Sequence, residues 1–185
     1  MTFYNATPFQ GIGIPRTLDG NDQYFHAAGI TVYSTNNYGL IADGLNNRIT
    51  IEGTLIGTVG MEVGFSSAGF GNRVVIGATG VVIGTTNAAL DILGGQTTIN
   101  NAGIISGYNG VAFKSDLGTG SVLVNSGRIL ADNGAIVVGG NEKVSLLNTG
   151  IITSYADGLF HTSHFGANRV NAWVCGGGVL IVKRG

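Results

Sequence analysis

Thr-Ile-Asn-Asn-Ala-Gly-Ile-Ile-Ser-Gly at 98–107 decides the fold, because the same pattern returns further along the chain. Val-Leu-Val-Asn-Ser-Gly-Arg-Ile-Leu-Ala occupies 122–131, and Ser-Leu-Leu-Asn-Thr-Gly-Ile-Ile-Thr-Ser occupies 145–154. Looser copies are Thr-Ile-Glu-Gly-Thr-Leu-Ile-Gly at 50–57 and Ile-Gly-Ala-Thr-Gly-Val-Val-Ile-Gly at 76–84. The marker glycines Gly53, Gly80, Gly103, Gly127 and Gly150 are spaced 27, 23, 24 and 23 residues apart. A unit of that size cannot bury its own apolar face, so it must stack on its neighbours.

Inside each unit the apolar residues alternate with period two, which reads as strand rather than helix. Counting from the marker, Ile49, Ile76, Ile99, Leu123 and Leu146 fall four residues before it. Leu55, Val82, Ile105, Ile129 and Ile152 fall two residues after it. A third short strand follows Gly60, Asn87, Gly110 or Gly134, as in Val111-Ala112-Phe113 and Ala135-Ile136-Val137. Gly, Asn and Ser stand at the corners, where positive φ is tolerated. The expected fold is all-β: a parallel β-helix (β-solenoid) with three short strands per coil. About six coils at ~4.8 Å each make a body roughly 29 Å long. We expect the solenoid over 29–171.

A polar column runs with the aliphatic ones. Asn101, Asn125 and Asn148 lie two residues before their markers, and Asn171 lies one period further on. Stacked amides at one corner can hydrogen-bond to each other and to the turn backbone, so these four are read as a structural ladder. Ile51 and Ala78 hold the equivalent places in the earlier units. The same counting sets Asp91 opposite Lys114, both eleven residues past a marker, as an exposed cross-strand ion pair.

Charged residues are only 10% of the chain and the formal net charge is −1. Of the nine Lys and Arg, all but the adjacent Lys183 and Arg184 are scattered singly. Nucleic-acid binding needs a clustered basic surface, so that class of partner is not expected. A surface this poor in charge is weakly protected against self-association. Cys175 is the sole cysteine, which excludes an internal disulfide, and it reads as a small apolar residue. The start Met-Thr-Phe-Tyr-Asn-Ala-Thr-Pro-Phe shows no cleavable signal peptide. No apolar run approaches the roughly 18 residues of a membrane span.

The repeat Asn-x-Gly-x-Ile-x-(Ser/Gly), a small loop, Gly-(Val/Ala/Leu) and a Gly/Asn-rich turn resembles the repeats of secreted proteobacterial β-helix proteins. These include autotransporter passenger domains and RTX-type adhesins, and the resemblance covers roughly residues 46–171. It implies an extracellular or cell-surface scaffold or adhesin. RTX-type turns also bind calcium through aspartates and carbonyl oxygens. Asp19-Gly20-Asn21-Asp22 comes nearest to such a turn. The turns at Asn46-Asn47-Arg48, Gly71-Asn72-Arg73 and Asn141-Glu142-Lys143 put a cation where an acidic ligand is wanted, so no metal or other cofactor is expected.

Both ends depart from the repeat. Residues 1–28 carry Phe3, Tyr4, Phe9, Tyr24 and Phe25 and read as an N-terminal cap or assembly arm. Residues 172–185 follow Trp173, which replaces the marker glycine. They end in Val179, Leu180, Ile181 and Val182, an apolar strand suited to covering the last coil or pairing with a second molecule.

Nothing in the sequence gathers catalytic groups. His161 and His164 have only Asp157 near them. The ten acids form no cluster of the kind carbohydrate-active β-helices use. The leading expectation is a non-catalytic structural protein, not an enzyme, that associates with copies of itself end to end into an extracellular filament or surface assembly. A glycan-binding adhesin or phage-tail-like module is the alternative. A carbohydrate-active enzyme is the third reading, and it requires carboxylates that only folding brings together.

Overall fold

The computed structural model describes residues 1–64, 69–116, 119–139, 141–155, 160–162 and 179–182. Among them there is no helix, and every strand pairing is parallel. The chain is a β-solenoid with three faces. Face one stacks β1 (Phe3–Asn5), β4 (Gln23–His26), β7 (Arg48–Ile51), β10 (Arg73–Ile76), β12 (Thr98–Asn101), β14 (Ser121–Asn125) and β17 (Val144–Asn148). These seven strands span six turns of the coil.

Face two stacks β2 (Phe9–Gly11), β5 (Thr31–Ser34), β8 (Thr54–Gly57), the first part of β11 (Val81–Ile92), the first part of β13 (Ile104–Phe113), β15 (Arg128–Ala131), β18 (Ile151–Ser154) and β20 (Val179–Val182). Face three stacks β3 (Thr17–Leu18), β6 (Leu40–Ala42), β9 (Met61–Val63), the remainders of β11 and β13, β16 (Ile136–Val138) and β19 (Phe160–Thr162).

Alternation along each strand sends every second side chain into a continuous core. On face two Val32, Leu55, Val82, Ile105, Ile129 and Ile152 lie in register and are buried. Each such side chain contributes about 1.5–3 kcal/mol by leaving water. On face three the core takes Leu40 and Ala42, Met61 and Val63, Leu90 and Ile92, Val111 and Phe113. The residue between each pair points away from it.

The face-one column differs from the counted one in a single coil. Val74, not Ile76, aligns with Ile49 and Ile99. The corner after β10 uses four residues, Gly77 to Gly80, where the corner after β7 uses two, Glu52 and Gly53. Counting back four from Gly80 therefore stops two residues short of Val74. The third strand in the sixth coil is Ile136–Val138 rather than 135–137, because Val111 pairs with Ile136.

The solenoid also begins earlier than expected. Residues 1–28 are not outside the repeat: β1, β2 and β3 form a first coil paired with β4, β5 and β6. Its face-one step, Phe3 to Gln23, is 20 residues, where the next three steps are each 25. This short coil lacks the marker motif. Two of its aromatic residues, Tyr4 and Phe9, are partly buried against the core cluster that contains Tyr24, while Phe3 is exposed, and the Arg16 guanidinium lies 4.5 Å from the Tyr4 ring centre. At the other end, Val179–Val182 pair in register with Ile151–Ser154 as the eighth strand of face two.

Candidate functional site

The asparagine column forms the predicted ladder. Asn101 Nδ2 donates to Asn125 Oδ1 at 2.7 Å, and Asn125 Nδ2 donates to Asn148 Oδ1 at 2.7 Å. Each amide also serves its own corner. Asn101 Oδ1 accepts from Gly103 N at 3.2 Å, and Asn148 Oδ1 accepts from Gly150 N at 3.2 Å. All three side chains are buried inside the turn, so the column offers a ligand nothing. Asn171 lies outside the described residues.

In the other direction the column continues through Ile76, rather than Ala78, to Ile51 and His26. His26 is buried, and its Nε2 lies 2.9 Å from the Ile30 carbonyl while Nδ1 has no partner. Burial lowers its pKa, and the Ile30 carbonyl opposes that shift. A neutral ring donating from Nε2 fits both observations.

A second ladder, not anticipated from the sequence, runs down the corner before face one. Thr2 N donates to Asp22 Oδ1 at 2.9 Å, Asp22 N to Asn47 Oδ1 at 3.1 Å, and Asn47 N to Asn72 Oδ1 at 2.8 Å. Thr97 N donates to Ser121 Oγ at 3.1 Å two stages further on. The residue before each step takes positive φ: Asn21, Asn46, Gly71, Gln96 and Gly120. These turns include the segments weighed for calcium. The Asp22 carboxylate is spent on backbone donors, since Oδ2 accepts from Asp19 N at 3.2 Å. Burial alone would raise its pKa, but the Thr2 and Asp19 donors outweigh burial and leave it lowered.

Folding gathers acids that the sequence keeps apart. Glu62 and Asp91 are register neighbours on face three, both between core-facing residues. They are only 3% and 6% exposed. Lys114 Nζ meets Asp91 Oδ2 at 2.8 Å. The pair is diagonal, because Asp91 stands directly opposite Ala112, and its acidic half is buried rather than exposed. Burial raises the Glu62 pKa to about 7; the Tyr38 hydrogen bond and Lys114 lower it, while Asp91 and Asp43 add to the rise. The array sets a carboxyl that holds a proton near neutrality beside a carboxylate paired with lysine. That combination suits proton transfer. With 3% of Glu62 exposed, a substrate has no direct path to it.

Face one presents a different surface. Its outward positions at the strand starts are Gln23, Arg48, Arg73 and Thr98, in register. Arg48 and Arg73 are exposed neighbours, and neither makes an ion pair among the described residues. Two clefts share Gln23, Arg48 and Arg73. One, of about 480 Å³, is lined also by Asn21, Asn46 and Asn72. The other, of about 350 Å³, is lined also by Phe3, Phe25 and Thr50.

The fold defines a β-solenoid repeat protein. No protein-family model matches the chain, and neither the curated proteins nor the solved structures contain a match to it.

Proposed function

We propose that the chain is a non-catalytic structural building block, a β-solenoid that associates end to end with copies of itself in an extracellular filament or surface assembly. The observation that carries this reading is the outer edge of the first coil. Among the described residues no strand lies beyond β1, β2 and β3. Around that edge Met1, Phe3, Ile12 and Ile14 are exposed. An unpaired strand edge fringed with apolar side chains is a template for another strand. A head-to-tail contact between such ends does not close on itself, so it propagates. The low charge of the surface puts little repulsion in the way. The likeness of the repeats to secreted β-helix proteins supports the extracellular setting.

Among the described residues Val179–Val182 is paired on one edge only, by β18, and in this arrangement the other edge receives a partner. Light scattering of the full chain over a concentration series tests the reading. Growth of particle mass with concentration is expected, and deletion of 1–28 or of 172–185 abolishes it. A particle that stays monomeric at high concentration rejects the proposal.

A further inference from the structure

We propose that Arg48 and Arg73, together with Phe3 and Phe25, form a lateral binding site for an acidic saccharide, a sugar chain bearing carboxylate or sulfate groups. Arg48 and Arg73 are the centre of the site. The two residues open β7 and β10, face outward and are directly opposite each other across one strand spacing, about 4.8 Å. Like charges directly opposite destabilise a sheet. Neither guanidinium has a carboxylate partner among the described residues, where the ion pair found is Lys114–Asp91. An anion lying between them removes that repulsion, and the planar fork of each guanidinium matches a carboxylate or sulfate.

The surroundings narrow the ligand. The 350 Å³ cleft continues from the arginines onto Phe25 and Phe3, which are 37% and 60% exposed. Exposed aromatic faces next to cationic forks suit a ligand that is apolar on one face and anionic at its rim, which a sugar ring with an acidic substituent is. The 480 Å³ cleft continues the other way onto Asn21 and Asn46, whose amides suit hydroxyl groups. A free inorganic anion leaves the phenylalanines unused. A nucleic acid needs many phosphate contacts, and the other basic residues are scattered. Asp22 also lines the larger cleft, but it is buried and its oxygens accept the Thr2 and Asp19 N–H groups. Arg48, Arg73 and Phe25 lie on the side of the solenoid, one coil or more in from the end that associates, and Phe3 alone belongs to that end's strand.

Titration calorimetry of the full chain with oligogalacturonate, a sulfated heparin oligosaccharide and a neutral maltooligosaccharide tests the site. One or both acidic probes bind, more weakly as salt rises, and the neutral probe does not. R48Q and R73Q each weaken binding about tenfold or more. F25A weakens it with the charges intact, whereas R128Q, at an exposed arginine on face two, leaves it unchanged. Circular dichroism and melting of each variant establish that it is folded. Failure of both acidic probes to bind overturns the proposal. So does undiminished binding by the folded R48Q/R73Q double variant, or equal binding of single-stranded DNA, which marks a non-selective anion surface.

Discussion

At the residue scale, Asn125 is the centre of the polar column: it accepts from Asn101 and donates to Asn148. Asn125→Ala leaves both neighbours with a lost partner in a buried turn and should cost about 1–3 kcal/mol. Urea unfolding measures this, and an unchanged midpoint contradicts the ladder. Glu62 sets a pH dependence. Its folded-state pKa of about 7 exceeds its ordinary 4.5, so the folded state holds a proton that the unfolded chain releases. The stability this provides is complete below about pH 4.5 and is lost as pH rises to about 7, on the order of 3 kcal/mol in total. Glu142, raised by burial against the opposing Ser121 and Ser115 hydrogen bonds, acts in the same direction. His26 acts oppositely, because its lowered pKa costs stability as pH falls below its ordinary 6.5. Glu62→Gln removes one titration only, so melting curves of the variant should vary less between pH 4.5 and 7 than those of the parent. Equal slopes reject the assignment. The ladder was legible because Asn101, Asn125 and Asn148 keep one offset from their glycines. His26 was not, since its coil turns the corner with four residues and lacks the marker motif.

At the scale of the element, the marker glycines have a reason different from the one their sequence setting suggests. None of Gly53, Gly80, Gly103, Gly127 or Gly150 takes positive φ. Instead, a Cβ at Gly127 would collide with the Gly103 carbonyl oxygen, and one at Gly150 with that of Gly127. Consecutive coils approach backbone to backbone there, which is why the glycine recurs so faithfully. Gly127→Ala should therefore cost about 3 kcal/mol, because backbone on both sides has to give. Thermal melting checks it against Gly11→Ala, where an added Cβ meets only the Phe9 ring at 3.5 Å, an ordinary contact; equal losses refute the close-approach account. The acid cluster shows where sequence counting stops. β11 carries Thr85, Thr86 and Asn87 between its two faces, and Gly84 and Ala88 pair with Gly107 and Asn109. Those two surplus residues shift every later offset, so Asp91 aligned on paper with Lys114 while it aligns in space with Ala112 and Glu62. Face three therefore required the register itself, whereas face two could be read by counting.

At the scale of the whole molecule, the stack is a one-dimensional array whose coils contact only their neighbours, so its ends are its reactive parts. The first coil shows what such an end requires: Arg16 over Tyr4 and Phe9 against the core cover the interior, while among the described residues no strand pairs with the outer edges of β1, β2 and β3. The aromatic density of residues 1–28 was visible in the sequence, but its meaning was not, because a 20-residue coil without a marker glycine does not look like its neighbours. The central claim is that these ends join, coil upon coil. X-ray fibre diffraction from concentrated, aligned full-length protein tests it most directly. Filaments giving a meridional reflection at about 4.8 Å, the spacing of strands stacked along one axis, are the predicted result. A solution of single, unassociated chains that yields no filament at any concentration would contradict it.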